Sequence, residues 1–361
     1  MKNRIHLHSF HTDTRPVLVF ITYTGIGDLL MALPLFGILR SHFRVLPLLP
    51  SSHLDLVRLL SQDGLLDGYL LAEGGLRADR NPLEHVLICR ALSRLRPDVV
   101  LIYGKLTMAY LARLGLLRAG RILVCHPRGV APDATRTLEV LTPTGNQTLD
   151  YLQFAERLGV PVTSARARLT GSLKSQLEDA ARSLIRWSSY AVVAPWTRDP
   201  RREAPIEFFR DCIEVIVREG KLPVVVTGLP QDRAAGSSLL HGSSDQRVKD
   251  VIGTTTLQQM LGILAGARFV LTNDGGTLHL ARLVGTSTIA AFGPTAPEQR
   301  LDDSSEGLVP LRLSLPCSPC ADTPLRYKCP GAYLQCLRGM KAAETRGTLL
   351  AACRAEAVRA R

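Results

Sequence analysis

Aromatic residues make up only 5% of this chain, and its basic residues are dispersed without aromatic neighbours interleaved among them. That excludes the usual composition of a nucleic-acid surface, so no nucleic-acid partner is expected. No apolar run reaches the roughly 18 residues a membrane-crossing helix needs. The longest, 29–39, is broken by Pro34 and Gly37. No apolar signal core precedes Pro16, which points to a cytoplasmic protein. Eight cysteines in 361 residues of such a protein do not suggest a disulfide framework.

What is present is a globular composition, 46% hydrophobic and 21% charged, in a chain long enough for two domains. The formal net charge of +12, mostly arginine, suits a phosphorylated substrate or peripheral contact with an anionic inner-membrane surface. It is equally the charge of an ordinary solvated surface.

Residues 1–15 read as polar and loose. Val17-Leu18-Val19-Phe20-Ile21 is apolar without alternation, as a strand buried on both faces is. It runs into Thr24-Gly25-Ile26-Gly27-Asp28 and a helix over 29–43. This resembles a Rossmann first turn, but Leu30 stands where the third glycine of the dinucleotide fingerprint belongs. Further strands are expected at 45–49, 69–71, 99–103 and 122–125, and a helix at 151–158. The alternation implies an α/β fold with a parallel sheet. Lys105, just past the fourth of these strands, falls at the carboxyl edge where such sheets bind ligands.

The stretch 165–187 is polar and helical and reads as a connector. A second alternating set follows, with strands at 191–194, 224–226, 268–271 and 288–292 and helices at 205–219 and 257–264. The expected division is therefore 1–165, a connector 166–188, a second domain 189–340, and a terminal helix 341–361. Both domains are Rossmann-like and face each other across a cleft.

Two stretches of the second domain carry candidate chemistry. Asp274-Gly275-Gly276-Thr277-Leu278-His279 lies between a strand and a helix, so backbone amides and the helix dipole can receive a phosphate. The alternative is a tight turn with Asp274 capping the helix. Thr197-Arg198-Asp199-Pro200-Arg201-Arg202 follows the domain's first strand, where Arg198 or Arg202 could clamp a diphosphate or simply be solvated. Separately, Cys317, Cys320, Cys329 and Cys336 open with the C-x2-C spacing of a tetrahedral metal site, although the later spacings do not repeat it. Reduced thiols are the expectation over a metal.

Three motifs together resemble glycosyltransferase family nine, the bacterial heptosyltransferases of lipopolysaccharide core synthesis. They are Gly27-Asp28 followed by Leu-Leu-Met-Ala-Leu-Pro, Asp274 through Ala281 with Phe292-Gly293-Pro294-Thr295 downstream, and the cysteine-rich run from Cys317 to Leu337. Two positions depart from the family pattern. Gly275 stands where Thr or Ser is usual, and Arg201-Arg202-Glu203-Ala204-Pro205 replaces a Lys-x-Trp-Pro-like element.

The resemblance implies a GT-B fold, with the acceptor on the first domain (Gly27, Lys105) and the nucleotide sugar on the second (Asp274, Gly275, Gly276, Thr277, His279, Arg198, Arg202). It implies inverting transfer of a sugar, usually heptose from ADP-heptose, to a saccharide or lipid-linked acceptor, with no cofactor and no catalytic metal. No Asp-x-Asp clamp is present. The resemblance makes Asp28 the general base; a helix N-cap is the other role open to it. A nucleotide-sugar epimerase of similar two-domain fold and a non-catalytic relative remain open.

Overall fold

A computed structural model describes residues 5–9, 14–72, 82–127, 138–163, 168–240, 245–300, 307–321, 329 and 334–355. The chain forms two compact units. One comprises residues 1–167 with a return at 299–302; the other comprises 168–298 and 303–361.

The first unit runs β1 (Ile5–Ser9), β2 (Val17–Ile21), α1 (Ile26–Leu39), β3 (Arg44–Pro50), α2 (Leu54–Gln62), β4 (Gly68–Ala72), α3 (Pro82–Arg94), β5 (Val99–Tyr103), α4 (Leu106–Arg113), β6 (Arg121–Cys125), β7 (Leu138–Leu141) and α5 (Gln147–Arg157). Its sheet has the order β1-β4-β3-β2-β5-β6-β7. All pairings are parallel except β1 on β4. Every residue of β4 and β5 is buried, which is what their unbroken apolar sequence requires under helices on both faces. From β2 the chain steps outward to β3 and β4, then returns to lay β5 against β2 and steps the other way. The loops after β2 and β5 therefore leave the carboxyl edge in opposite directions, and a crevice opens between them.

The second unit runs α6 (Gly171–Ala181), β8 (Ala191–Ala194), α7 (Ile206–Glu214), β9 (Val224–Val226), α8 (Arg233–Leu240), β10 (Val248–Asp250), α9 (Leu257–Ala265), β11 (Phe269–Asn273), α10 (Gly276–Leu283), β12 (Thr288–Phe292), α11 (Pro297–Arg300, whose last residues belong to the first unit), β13 (Leu308–Arg312), α12 (Gln335–Arg338) and α13 (Ala342–Arg354). Its fully parallel sheet, β10-β9-β8-β11-β12-β13, repeats the same winding, with the switch between β8 and β11. The core beneath α7 and α13 gathers Phe208, Phe209, Ile216, Phe269 and Leu349. Among the described residues no helix is long and apolar enough to cross a membrane.

Several expectations need correction. Ile5–Ser9, expected to be loose, pairs with β4. The strands β7, β10 and β13 were not expected: β7 and β10 are short and interrupted by charged residues, and Pro310 argues against a strand at β13. The helix expected over 205–219 ends its α geometry at Glu214 and finishes as a π turn, Val215–Glu219. The boundary expected at 165–166 lies outside the described residues. The segment expected to connect the domains contains α6, which belongs to the second unit. A Cβ on Gly262 of α9 would meet the Leu177 carbonyl oxygen at 1.9 Å, so the two helices touch backbone to backbone. That approach needs glycine, and it seats the segment on α9.

Candidate functional site

In the first unit the helix after β2 begins three residues earlier than expected. Gly25 is its N-cap, and Asp28 stands in the first turn. Asp28 is therefore not the cap. Its Oδ2 accepts the Gly25 amide N–H at 3.1 Å, and its Oδ1 accepts Gln147 Nε2 at 2.8 Å. A Cβ at position 25 would lie 2.5 Å from that Oδ2, so a glycine is needed for the carboxylate to reach back. Gln147 is the first residue of α5, whose start is fixed by the Asn146 side chain accepting from the Thr148 and Leu149 amides. Its nitrogen also lies 2.6 Å from Tyr151 Oη, and its oxygen accepts Arg300 Nη1 at 2.7 Å. Burial first, and then the charge of Asp28, pushes the Tyr151 phenol well above its ordinary range, so it stays neutral.

Across the switch, Gly104 follows β5 with φ +67°, and a Cβ there would fall 2.2 Å from Tyr23 Cζ. The phenol end of Tyr23 thus covers Gly104 at the start of the β5 loop. Lys105 is buried, with its ammonium 5.9 Å from the Tyr23 ring centroid. It is not a solvated residue. Gly27 lies in the first turn of α1, one residue before Asp28.

The second unit places its two candidate stretches at its own switch. Asp274 is buried, and its Oδ2 accepts from Arg202 Nη1 at 3.3 Å and from the Thr295 hydroxyl. Arg202 is therefore the loop arginine that meets the glycine turn, while Arg198 is exposed. Asp199 accepts both Arg201 Nε and Nη2 at 2.8 Å. Burial opposes its ionisation, but the bonds from Arg201 prevail and hold the carboxyl below its usual range. Glu203 accepts the Thr197 amide at 2.7 Å, and burial raises its carboxyl. The arginines are thus largely matched by carboxylates, leaving the amides at the start of α10 as the principal anion-attracting feature.

The two glycines of the turn differ. A Cβ at Gly275 would press on the Thr197 side chain at 3.1 Å, whereas at Gly276 it would meet nothing within 4 Å. The surface over Gly276 and Thr277 is open, and His279 is buried beneath the first turn of α10. Asn273, at the end of β11, binds the Ala204 amide and the Pro195 carbonyl, so the arginine loop is tied to the glycine turn.

The four cysteines come together. Cys317, Cys320, Cys329 and Cys336 line one cavity of about 260 Å³ with Asp199, Arg201 and Arg202. The Cys320 and Ala321 amides both donate to the Pro294 carbonyl, and Ser318 Oγ donates to that of Gly293. The Phe-Gly-Pro-Thr segment thereby serves as the dock for the cysteine turn. Burial first, and then Cys320, Cys317 and Cys329, raise the Cys336 thiol to about 11. Among the described residues no three His, Cys, Asp or Glu side chains stand where one metal ion could be held.

Residues 148–329 match the model of glycosyltransferase family 9 (heptosyltransferase). The chain belongs to that family. Lipopolysaccharide heptosyltransferase 2 of Salmonella typhimurium is 28% identical over 102 residues, 27% of this chain and 29% of that protein. The matched part thus spans less than a third of the relative's length. The solved structure of Escherichia coli ADP-heptose LPS heptosyltransferase II superposes with a TM-score of 0.68 at 17% identity, covering 93% of this chain and 98% of that one. E. coli heptosyltransferase WaaC with ADP gives 0.64 at 16% identity, covering 93% and 100%. The fold they share with the two Rossmann-like units is GT-B.

Proposed function

We propose that this chain is an inverting glycosyltransferase that moves a sugar, heptose from ADP-heptose, onto a saccharide acceptor such as the lipopolysaccharide core. The observation that carries the reading is the Asp28 carboxylate. It stands at the switch of the first sheet, in the first turn of α1, held by the Gly25 amide and the Gln147 side chain, a position from which a carboxylate can take the acceptor hydroxyl's proton. The names of the relatives support the donor. In the second unit the amides of Gly275, Gly276 and Thr277, with Arg202 and His279, would hold the diphosphate and stabilise it as it leaves. Arg198 lies on the same loop. Asp274, engaged by Arg202 and Thr295, orients the turn. Gly27 and Lys105 flank the acceptor side. No cofactor or metal is assigned a step, and the cysteines act as packed thiols; elemental analysis of protein purified without chelator, showing stoichiometric metal, would overturn that part.

A lipid-linked acceptor places the work at the cytoplasmic face of the inner membrane. Two adjacent helices of the first unit support peripheral contact there. Leu83 and Leu87 on α3, and Tyr110 on α4 with Leu114 just beyond it, are exposed beside exposed Arg90, Arg94, Arg113 and Arg118. An anionic bilayer suits such a surface.

The deciding experiment is release of ADP from ADP-heptose by the purified protein. Release that depends on added acceptor supports the transferase. Conversion of the sugar without acceptor would identify an epimerase, and neither result with any nucleotide sugar that binds would leave a non-catalytic relative.

A further inference from the structure

Glycine at position 275 is not required by its backbone. Its φ of −164° and ψ of −169° are extended angles that any residue adopts. What excludes a side chain there is Thr197 of the arginine loop. A Cβ at position 275 would lie 3.1 Å from Thr197 Cγ2 and 3.2 Å from Thr197 Cβ. One residue on, at Gly276, a Cβ would meet nothing within 4 Å. The turn is therefore packed tightly at its first glycine and open at its second, where a diphosphate has room to approach.

Thr197 is itself held in place. Its hydroxyl accepts the Asp199 amide at 3.0 Å and donates to the Asp199 carbonyl at 2.8 Å, which fixes χ1 and leaves the methyl facing Gly275. Its own amide donates to Glu203 Oε1 at 2.7 Å. The neighbouring Trp196 ring is seated on Gly228, where a Cβ would fall 2.7 Å from Trp196 Cε3. Loop and turn are also tied on both sides of this contact. Thr272 Oγ1 donates to the Ala194 carbonyl at 2.8 Å, and Arg202 Nη1 to Asp274 Oδ2 at 3.3 Å. The two segments thus meet as a close-packed pair, with one methyl group setting the gap. All of these residues belong to the second unit.

We propose that Thr197 is the positioning residue of the donor turn: its methyl, seated on Gly275, sets the angle at which the amides at the start of α10 face the diphosphate. The peptide plane between Gly275 and Gly276 carries the Gly276 N–H, one of the first amides that a helix itself leaves unused. A push or a gap at Gly275 tilts that plane. Donors fixed in advance hold an anion well only while they point at it, so a tilt costs affinity. The role is exerted through shape, and the Thr197 hydroxyl serves it by holding the methyl in one rotamer. The proposal rests on the diphosphate lying on these amides.

The test uses the full chain and moves one methyl group from the loop to the turn, with ADP affinity read by calorimetry. Thr197→Ser keeps the hydroxyl, opens a gap at Gly275, and should weaken ADP binding about fivefold. Gly275→Ala presses on Thr197 and should weaken it about tenfold. The double variant returns the methyl from the other side and should bind ADP within about twofold of the unaltered protein. Donor KM should follow the ADP affinity while acceptor KM stays within about twofold, a split that a general loss of packing would not produce. Additive losses, normal ADP affinity in both single variants, or a double variant no tighter than Thr197→Ser overturns the positioning role. If Gly275→Ala does not fold, Thr197→Ser and the double variant carry the test. Gly276→Val separates the two claims. Unchanged ADP affinity there removes the diphosphate from this turn, whereas a weakened Gly276→Val with uncoupled Thr197 and Gly275 variants removes only the positioning role.

Discussion

The parallel strands of the two units wind alike, and each unit sets an aspartate near its sheet's switch, yet the two carboxylates have different partners. Asp28, half-buried, accepts the Gly25 amide and the Gln147 side chain, one on each oxygen, among its contacts. Asp274 is buried at 1% exposure and is engaged by a guanidinium and a hydroxyl on a single oxygen. On the proposed reading one carboxylate does acid–base work, and the other braces a turn. Topology supplies the place, and the adjacent side chains decide what happens there.

The sharpest way to break this contrast is to make the same substitution at both aspartates. Asp28→Asn should lower turnover by about 10²–10⁴-fold with donor affinity unchanged. It will not be structurally silent: the new NH₂ must face either the Gly25 amide or Gln147 Nε2, both donors, so a loss of about 1 kcal/mol in thermal unfolding should accompany it. Asp274→Asn should do the reverse, lowering stability by about 1–3 kcal/mol through the lost Arg202 pair while turnover falls far less. Equal kinetic losses in the two variants would erase the distinction.

The next effect concerns the donor alone. Gly276→Val adds a side chain where nothing lies within 4 Å, so unfolding should be unaffected. ADP affinity by calorimetry should nonetheless fall about tenfold or more, because the branched side chain covers the amides at the start of α10. Unchanged affinity would put the diphosphate elsewhere. In the first unit Gly104→Ala should cost about 1–3 kcal/mol, from positive φ and from the Tyr23 ring, with donor affinity preserved. The smallest effect is electrostatic. Asp199 ionises more readily folded than unfolded, so its contribution is fully present above about pH 4 and is lost as pH falls through its lowered folded value. Asp199→Asn should therefore flatten the acid end of a melting-temperature profile slightly; an unchanged profile would detach Arg201 and Arg202 from that carboxylate.

Much of the fold was legible because buried parallel strands announce themselves as unbroken apolar runs: β2, β5, β8 and β12 are of this kind. The strand–glycine–helix segments that carry Asp28 and the glycine turn were legible from the local pattern, whereas the roles proposed for them come from the family resemblance. The partners were not legible. The helix now seen to start at Gln147 was expected only from 151, since Asn146 was not recognised as its cap, and the four hidden residues included Gln147 itself. Arg300 closes the one-turn helix α11 far along the chain, and nothing local marks its return to the first unit. The burial of Lys105 is not legible in the sequence, because its cover, Tyr23, comes from a different loop. Pairing between distant segments is what a pattern of periods and caps does not carry.

The short strand at Ile5–Ser9 also has a consequence for handling the protein. It runs antiparallel along β4, where the parallel sheet would otherwise present a bare row of amide and carbonyl groups. A bare row of this kind recruits whatever extended peptide is nearby. Trimming the chain to start at Val17 would leave both switch points intact yet turn the rim of the first sheet adhesive. A shortened form that clumps on concentration would then be reporting an unfinished edge, with both switch points undamaged.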